Sequence, residues 1–185
     1  MGGMWRLILL ITALFLMLFE WISISYRKPI LLTVGILYIS LAMKFWITGS
    51  NLSNPHWWLI LYTFTLVWSS DIAAYFGGKL IGGRKLAPSI SPSKTWSGAI
   101  AGFIFSVLAC YIYCKIFPMK TNTVSLLTPI LAIISILGDL IESKVKRTLC
   151  IKDSSHLIPG HGGILDRLDS FLAVTWGLII IFLFK

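Results

Sequence analysis

Six apolar runs of nearly bilayer-spanning length fill most of this chain, at about residues 5–24, 30–48, 56–76, 96–117, 124–142 and 168–184. A backbone surrounded by hydrocarbon must satisfy its own hydrogen bonds, and apolar runs of about 20 residues do so as helices. The pattern predicts an all-α, polytopic integral membrane protein with about six transmembrane helices. Hydrophobic residues make up 57% of the chain and charged residues 12%, which leaves no room for a soluble domain, so residues 1–185 read as one membrane-embedded unit. Pro29, Pro55, Pro118 and the Gly/Pro-rich stretch 77–92 punctuate the runs. No small-residue cleavage site follows the first run, which reads as a retained helix.

The cations are unevenly shared between the two sets of connections. One side collects Arg27, Lys28, Lys79, Arg84, Lys85, Lys94, Lys144, Lys146, Arg147, Lys152 and Arg167; the other holds only Arg6, Lys44, Lys115, Lys120 and Lys185. Positive charge marks the cytoplasmic side. All seven acids fall in, or at helix ends facing, that side. A net charge of +9 suggests polyanions, yet so apolar a chain offers no broad soluble face to a nucleic acid, so lipid headgroups or phosphate substrates are the fitting partners. Cys110, Cys114 and Cys150 are odd in number and read as packing residues, without a disulfide framework or zinc site. The Asn51-Leu52-Ser53 sequon is short enough to arise by chance, and His56 beside Trp57 and Trp58 belongs to an interfacial belt.

Two polar segments break the apolar pattern. In the first, Asp139, Glu142 and Ser143 at i, i+3, i+4 share one face at the end of the fifth span, and Asp166 and Asp169 open the sixth. Carboxylates and a hydroxyl without thiolates suit Mg²⁺. A structural reading, helix capping or neutralisation of Lys144, Lys146, Arg147 and Arg167, stays open for each acid; Glu20, alone on the first span, is read that way. Between the two helix ends, Pro159, Gly160, Gly162 and Gly163 permit tight turns and close approach of backbone N–H groups to an anion. Lys146, Arg147, Lys152, His161 and Arg167 flank that turn as candidate phosphate contacts. His156 and His161 have poor zinc spacing and suit hydrogen bonding instead. In the second segment, residues 69–98, Asp71, Tyr75 and Lys79 recur every four residues on one helical stripe. Gly77, Gly78, Gly82 and Gly83 are expected to loosen the backbone there. The turn Ser91 to Thr95, with Lys94, caps the next helix, binds phosphate, or does both.

The run from Ser143 to Asp169 resembles the signature of phosphatidate cytidylyltransferases, the CDP-diacylglycerol synthases. Ser143, Val145, Lys146, Arg147, Lys152, Asp153, Ser155, Ile158, Pro159, His161, Gly162, Gly163, Ile164, Asp166, Arg167, Leu168 and Asp169 fill its specified places. Residues 71–98 resemble the family's second polar segment, so the resemblance covers roughly residues 60–185, the expected catalytic part. One departure is Ser97, where members usually carry a Glu. The resemblance implies transfer of a cytidylyl group from CTP to phosphatidic acid with Mg²⁺, at the cytoplasmic face of a bacterial inner membrane, and leaves room for a homodimer. It makes Asp139 and Asp166 leading metal ligands, with Ser143 and Asp169 in support. Lys146, Arg147, Lys152, His161, Arg167, Gly162 and Gly163 are then expected to hold phosphates, and Asp71, Tyr75, Lys79 and Lys94 to complete the pocket. A CTP-using lipid kinase is the nearest rival. A transporter is the rival of another class, but needs polar groups at several depths, whereas these acids cluster at one.

Overall fold

The computed structural model describes residues 2–49, 57–117, 124, 126–155, 157 and 162–184. Its elements are helices α1 (Gly2–Ser25), α2 (Pro29–Gly49) and α3 (Trp57–Leu80), a hairpin of β1 (Lys85–Ala87) and β2 (Ser91–Thr95), and helices α4 (Trp96–Ile116), α5 (Thr128–Thr148) and α6 (Leu165–Leu183). The six helices are those read from hydropathy. On length and composition, α1 to α4 can cross a membrane. Charge shortens the apolar part of the other two, at the C-terminal end of α5 and the N-terminal end of α6. Helices α3 and α5 also run past their apolar stretches, to Leu80 and Thr148, because charged side chains leave the membrane without ending a helix. His156, Pro159, Gly160, His161, Pro55, His56, Pro118 and the Asn51 sequon lie outside the described residues.

Helix α6 is the hub. Ser170, Phe171, Leu172, Ala173, Val174, Thr175, Gly177 and Leu178 are buried in succession, as in a helix enclosed all round. It packs on α5 and also meets α1, α2 and α3. Hydrophobic burial gives little drive between helices in lipid, so close packing and hydrogen bonds hold them. Trp46 Nε1 donates to Thr175 Oγ1 (2.8 Å), and the Tyr62 and Thr128 hydroxyls lie 2.7 Å apart. The most extensive seam joins α3 to α4: a Cβ added to Gly98 would lie 2.7 Å from the Ala74 carbonyl oxygen, and one on Gly102 would lie 2.9 Å from that of Ser70.

The expected loosening by glycine is corrected for part of its segment. Gly77 and Gly78 stay within α3 and face α4, where an added Cβ on Gly77 would be 2.5 Å from the Ala101 Cβ. Gly82 and Gly83 do turn the chain, at φ 65° and 100°. The hairpin that follows is an addition to the all-α expectation. It pairs Lys85 with Thr95 and Ala87 with Ser91 across a bulge. Thr95 caps α4, accepting from the Gly98 N–H at 3.1 Å, and Ser97 Oγ donates to the Gly82 carbonyl, which ties the glycine turn to the start of α4.

Cys110 is buried, but Cys150 is exposed and does not pack as the sequence reading supposed. It ends α5 at φ 59°, while the Ile151 N–H closes back on the Lys146 carbonyl at 3.0 Å. A left-handed residue here favours glycine. Cys150→Gly should therefore stabilise the protein by about 1 kcal/mol, an increase of roughly 2–4 °C in the melting temperature in detergent; a lower melting temperature would contradict this account of the turn.

Candidate active site

The α3–α4 seam and the α5–α6 pair face each other at the charged ends of the helices. In the second pair, a Cβ on Gly138 would lie 2.2 Å from that of Ala173, and Ser170 Oγ donates to the Ser135 carbonyl at 3.2 Å. Between the pairs lies a cavity of about 630 Å³. Its lining brings together Asp71, Tyr75, Lys79, Lys94, Asp139, Asp166, Arg167 and Asp169. Two polar segments separated by some forty residues thus meet in one space. Sequence spacing alone did not point to Ser70, Ser135 or Ser170, which add hydroxyls to the wall; Ser135, four residues before Asp139, was the one with a usable signal.

Three carboxylates, on Asp71, Asp139 and Asp169, act on one another electrostatically across this cavity. Lys94 offsets part of that charge by pairing with Asp139 Oδ2. Lys79 stands beside Tyr75, with its ammonium 3.3 Å from the phenol oxygen, as the four-residue stripe predicts. Among the described residues, no three of the His, Cys, Asp and Glu side chains gather as a ready-made metal cluster. Mg²⁺ usually takes one or two carboxylates and leaves its other positions to water and phosphate. Neighbouring carboxylates that repel, with hydroxyls and, among the described residues, without thiolate or imidazole in the lining, form a donor set that a hard divalent cation fits.

Asp166 is engaged more fully than its sequence position suggests. Lys146 Nζ donates to Oδ1 at 2.8 Å, the Ser154 N–H approaches Oδ2 and Oδ1 at 2.8 and 3.1 Å, and the Gly163 N–H reaches Oδ2 at 2.9 Å. A carboxylate has about four lone-pair positions, so these contacts saturate it. Lys146 also pairs with Glu142 Oε1 at 3.2 Å. Both Lys146 and Asp166 lie beyond the apolar parts of their helices. Burial pushes the Asp166 carboxyl up, but the bonds from Lys146, Gly163 and Ser154 outweigh it and hold the group below its ordinary range. For Lys146, burial pulls down while Glu142 and Asp166 raise the ammonium above its ordinary value. Gly162, at φ 83°, supports this arrangement: a Cβ there would meet Asp166 Oδ2 at 2.8 Å.

The other expected residues that are described do not line the cavity. Arg147 spans two turns, its Nε donating to the Ile90 carbonyl at 3.2 Å and its Nη1 to that of Ile151 at 3.3 Å, so it braces the hairpin against α5. Ser143 is half-buried on α5 and Lys152 is exposed. Lys28 Nζ donates to the Thr148 carbonyl at 2.6 Å, a cation at a helix C-terminus.

Residues 1–184 match the model of the cytidylyltransferase family. Phosphatidate cytidylyltransferase of Rickettsia conorii is 39% identical over 177 residues, which cover 91% of this chain and 75% of that protein. The Haemophilus influenzae protein of the same name is 46% identical over 126 residues, 63% of this chain and 43% of its own length. For Bacillus subtilis the figures are 40% over 145 residues, 77% and 54%. The chain thus spans three quarters of the first relative and about half or less of the other two. With a family model matching nearly its whole length around a cavity of acids and cations, the chain is a nucleotidyltransferase and belongs to the cytidylyltransferase family.

Proposed function

We propose that this protein transfers the cytidylyl group of CTP to phosphatidic acid, giving CDP-diacylglycerol and pyrophosphate. The observation that carries this reading is that Asp71, Asp139 and Asp169 line one cavity together with Lys79, Lys94 and Arg167. The nucleophile needs no general base: a phosphomonoester has a second pKa of about 6 and is largely deprotonated at neutral pH. The chemical difficulty is to bring two polyanions together. Lys79, Lys94 and Arg167 would neutralise and position phosphate oxygens, so that a phosphatidate oxygen attacks the α-phosphorus in line and the bond to the departing pyrophosphate breaks. Lys94 would exchange Asp139 for a phosphate on binding.

Asp139 and Asp169 would hold Mg²⁺, with Asp71 nearby. Asp166, expected as Asp139's partner, would contribute a ligand only by releasing one of its three donors, and so is assigned to shaping the wall. Ser143 remains a candidate for supporting the metal, and Lys152 and His161 for outlying phosphate contacts. Bound Mg²⁺ supplies charge neutralisation for the phosphates. The Lys/Arg bias supports a cytoplasmic site, where the headgroup enters while the acyl chains stay in lipid. Purified protein given phosphatidic acid and CTP labelled at the α-phosphate should incorporate label into lipid, and CTP labelled at the γ-phosphate should not. Incorporation from the γ-position alone would identify a kinase.

A further inference from the structure

Glu20 is the one acidic residue of α1, a helix that contributes nothing to the cavity lining, yet its side chain is 1% exposed. Four donors converge on it. Oε1 accepts from Ser155 Oγ at 2.6 Å and the Ile164 N–H at 2.9 Å; Oε2 accepts from Ser154 Oγ at 3.1 Å and the Leu165 N–H at 2.8 Å. Each oxygen thus takes one hydroxyl and one backbone amide. Those amides belong to the start of α6, whose N-cap residue Ile164 supplies no side-chain cap. The first N–H groups of a helix lack internal partners, and a carboxylate there also meets the positive end of the helix dipole.

The same residues grip Asp166. Ser154 gives its hydroxyl to Glu20 and its N–H to Asp166, while Gly163 gives its N–H to Asp166. A Cβ on Gly163 would lie 2.0 Å from Ser154 Oγ and 2.6 Å from Glu20 Oε2, so only glycine lets the two carboxylates approach the loop from both sides. We propose that Glu20 is a positioning residue: it caps α6 from another helix and fixes Ser154 and Ser155, so that Asp166, Arg167 and Asp169 face the cavity. It touches no substrate. This assignment rests on the reaction proposed above for its effect on turnover, and on geometry alone for the cap.

Glu20→Gln separates the two. Hydroxyls can rotate to accept from the new amide, but backbone N–H groups cannot, so either Ile164 or Leu165 is left facing another donor. In intact protein in nanodiscs, hydrogen exchange at those amides should quicken at least tenfold. A small displacement of reacting groups costs up to about 100-fold in rate, so kcat for cytidylyl transfer should fall roughly 10- to 100-fold while KM for CTP stays within about threefold. Adding Ser155→Ala should lower kcat little further, because both changes break one unit. Unchanged exchange, or faster exchange with unchanged kcat, overturns the proposal. If Glu20→Gln does not fold, Ser155→Ala alone replaces it, with a severalfold fall in kcat expected and wild-type turnover and exchange overturning it. If the wild type itself transfers no cytidylyl group, the reaction proposed above fails, and exchange at the two amides still decides the cap.

Discussion

Asp139→Asn should lower turnover by about 10³-fold, the cost of removing one preorganised electrostatic contact from a phosphate-handling site. The substitution keeps size and shape, so the variant is expected to insert and melt like the wild type. The fall should appear in kcat and kcat/KM together, as for an interaction made chiefly in the transition state. It should also depart from that of Lys94→Ala. Lys94 pairs with the same carboxylate, but its proposed role is to receive phosphate, so its loss should raise KM for CTP more than it lowers kcat. Steady-state assays with CTP, phosphatidic acid and Mg²⁺ measure both. Wild-type turnover in Asp139→Asn would remove the metal assignment.

The second large effect is on stability. Lys146 lies between Glu142 and Asp166, and the three side chains are only 8–13% exposed. Taking one member from a buried ion cluster leaves uncompensated charge and costs about 3–5 kcal/mol. Lys146→Met should therefore lower the melting temperature markedly, with Glu142→Gln in the same chain restoring part of it by removing one stranded carboxylate. A melting temperature unchanged by Lys146→Met would refute this. The pH limits follow from the shifts. Asp166 is depressed in the fold, so its contribution is complete above the ordinary carboxylate range and is lost as pH falls through its lower folded value. Lys146 is raised, so its contribution is complete below the ordinary lysine value and is lost only as pH rises through the higher folded one. The Lys146–Asp166 pair should hold across the whole neutral range.

What could be read ahead of the structure divides along physical lines. Helices follow from hydropathy, because hydrocarbon permits little else, and the stripe Asp71, Tyr75, Lys79 was legible because its order is local and helical. The hairpin was not: Ser91-Pro92-Ser93-Lys94-Thr95 has no apolar alternation and only Thr95 as a β-branched residue, and its pairing depends on the glycine turn and on Arg147 reaching Ile90. Gly77 and Gly78 looked like hinges because the residues that need their bareness, Ala101 for the first and Thr95 for the second, are distant in the chain. Glu20 was the least legible. Its partners are 134 to 145 residues distant, and two of them are main-chain amides that no side-chain pattern reveals. Asp166 lines the cavity, but its engagement by three donors depends on how the loop folds back, which spacing does not encode.

Helix α5 has a further consequence. Ile130, Ile133, Leu137 and Ile141 stand exposed along one side of it, while Ser135, Ile136 and Asp139 line the cavity on the other. At the same height it is thus bathed by oil on one side and open to water on the other, a partition one helix thick between two dielectrics. Field lines from charges in the notch avoid the oily wall and leave through the wet mouth, where Lys79 and Arg167 stand. The eleven cations read on that side outnumber its seven acids, so a polyphosphate approaching that mouth is drawn in from beyond contact distance, and its association rate constant should drop steeply as added salt shortens the Debye length to a few ångströms.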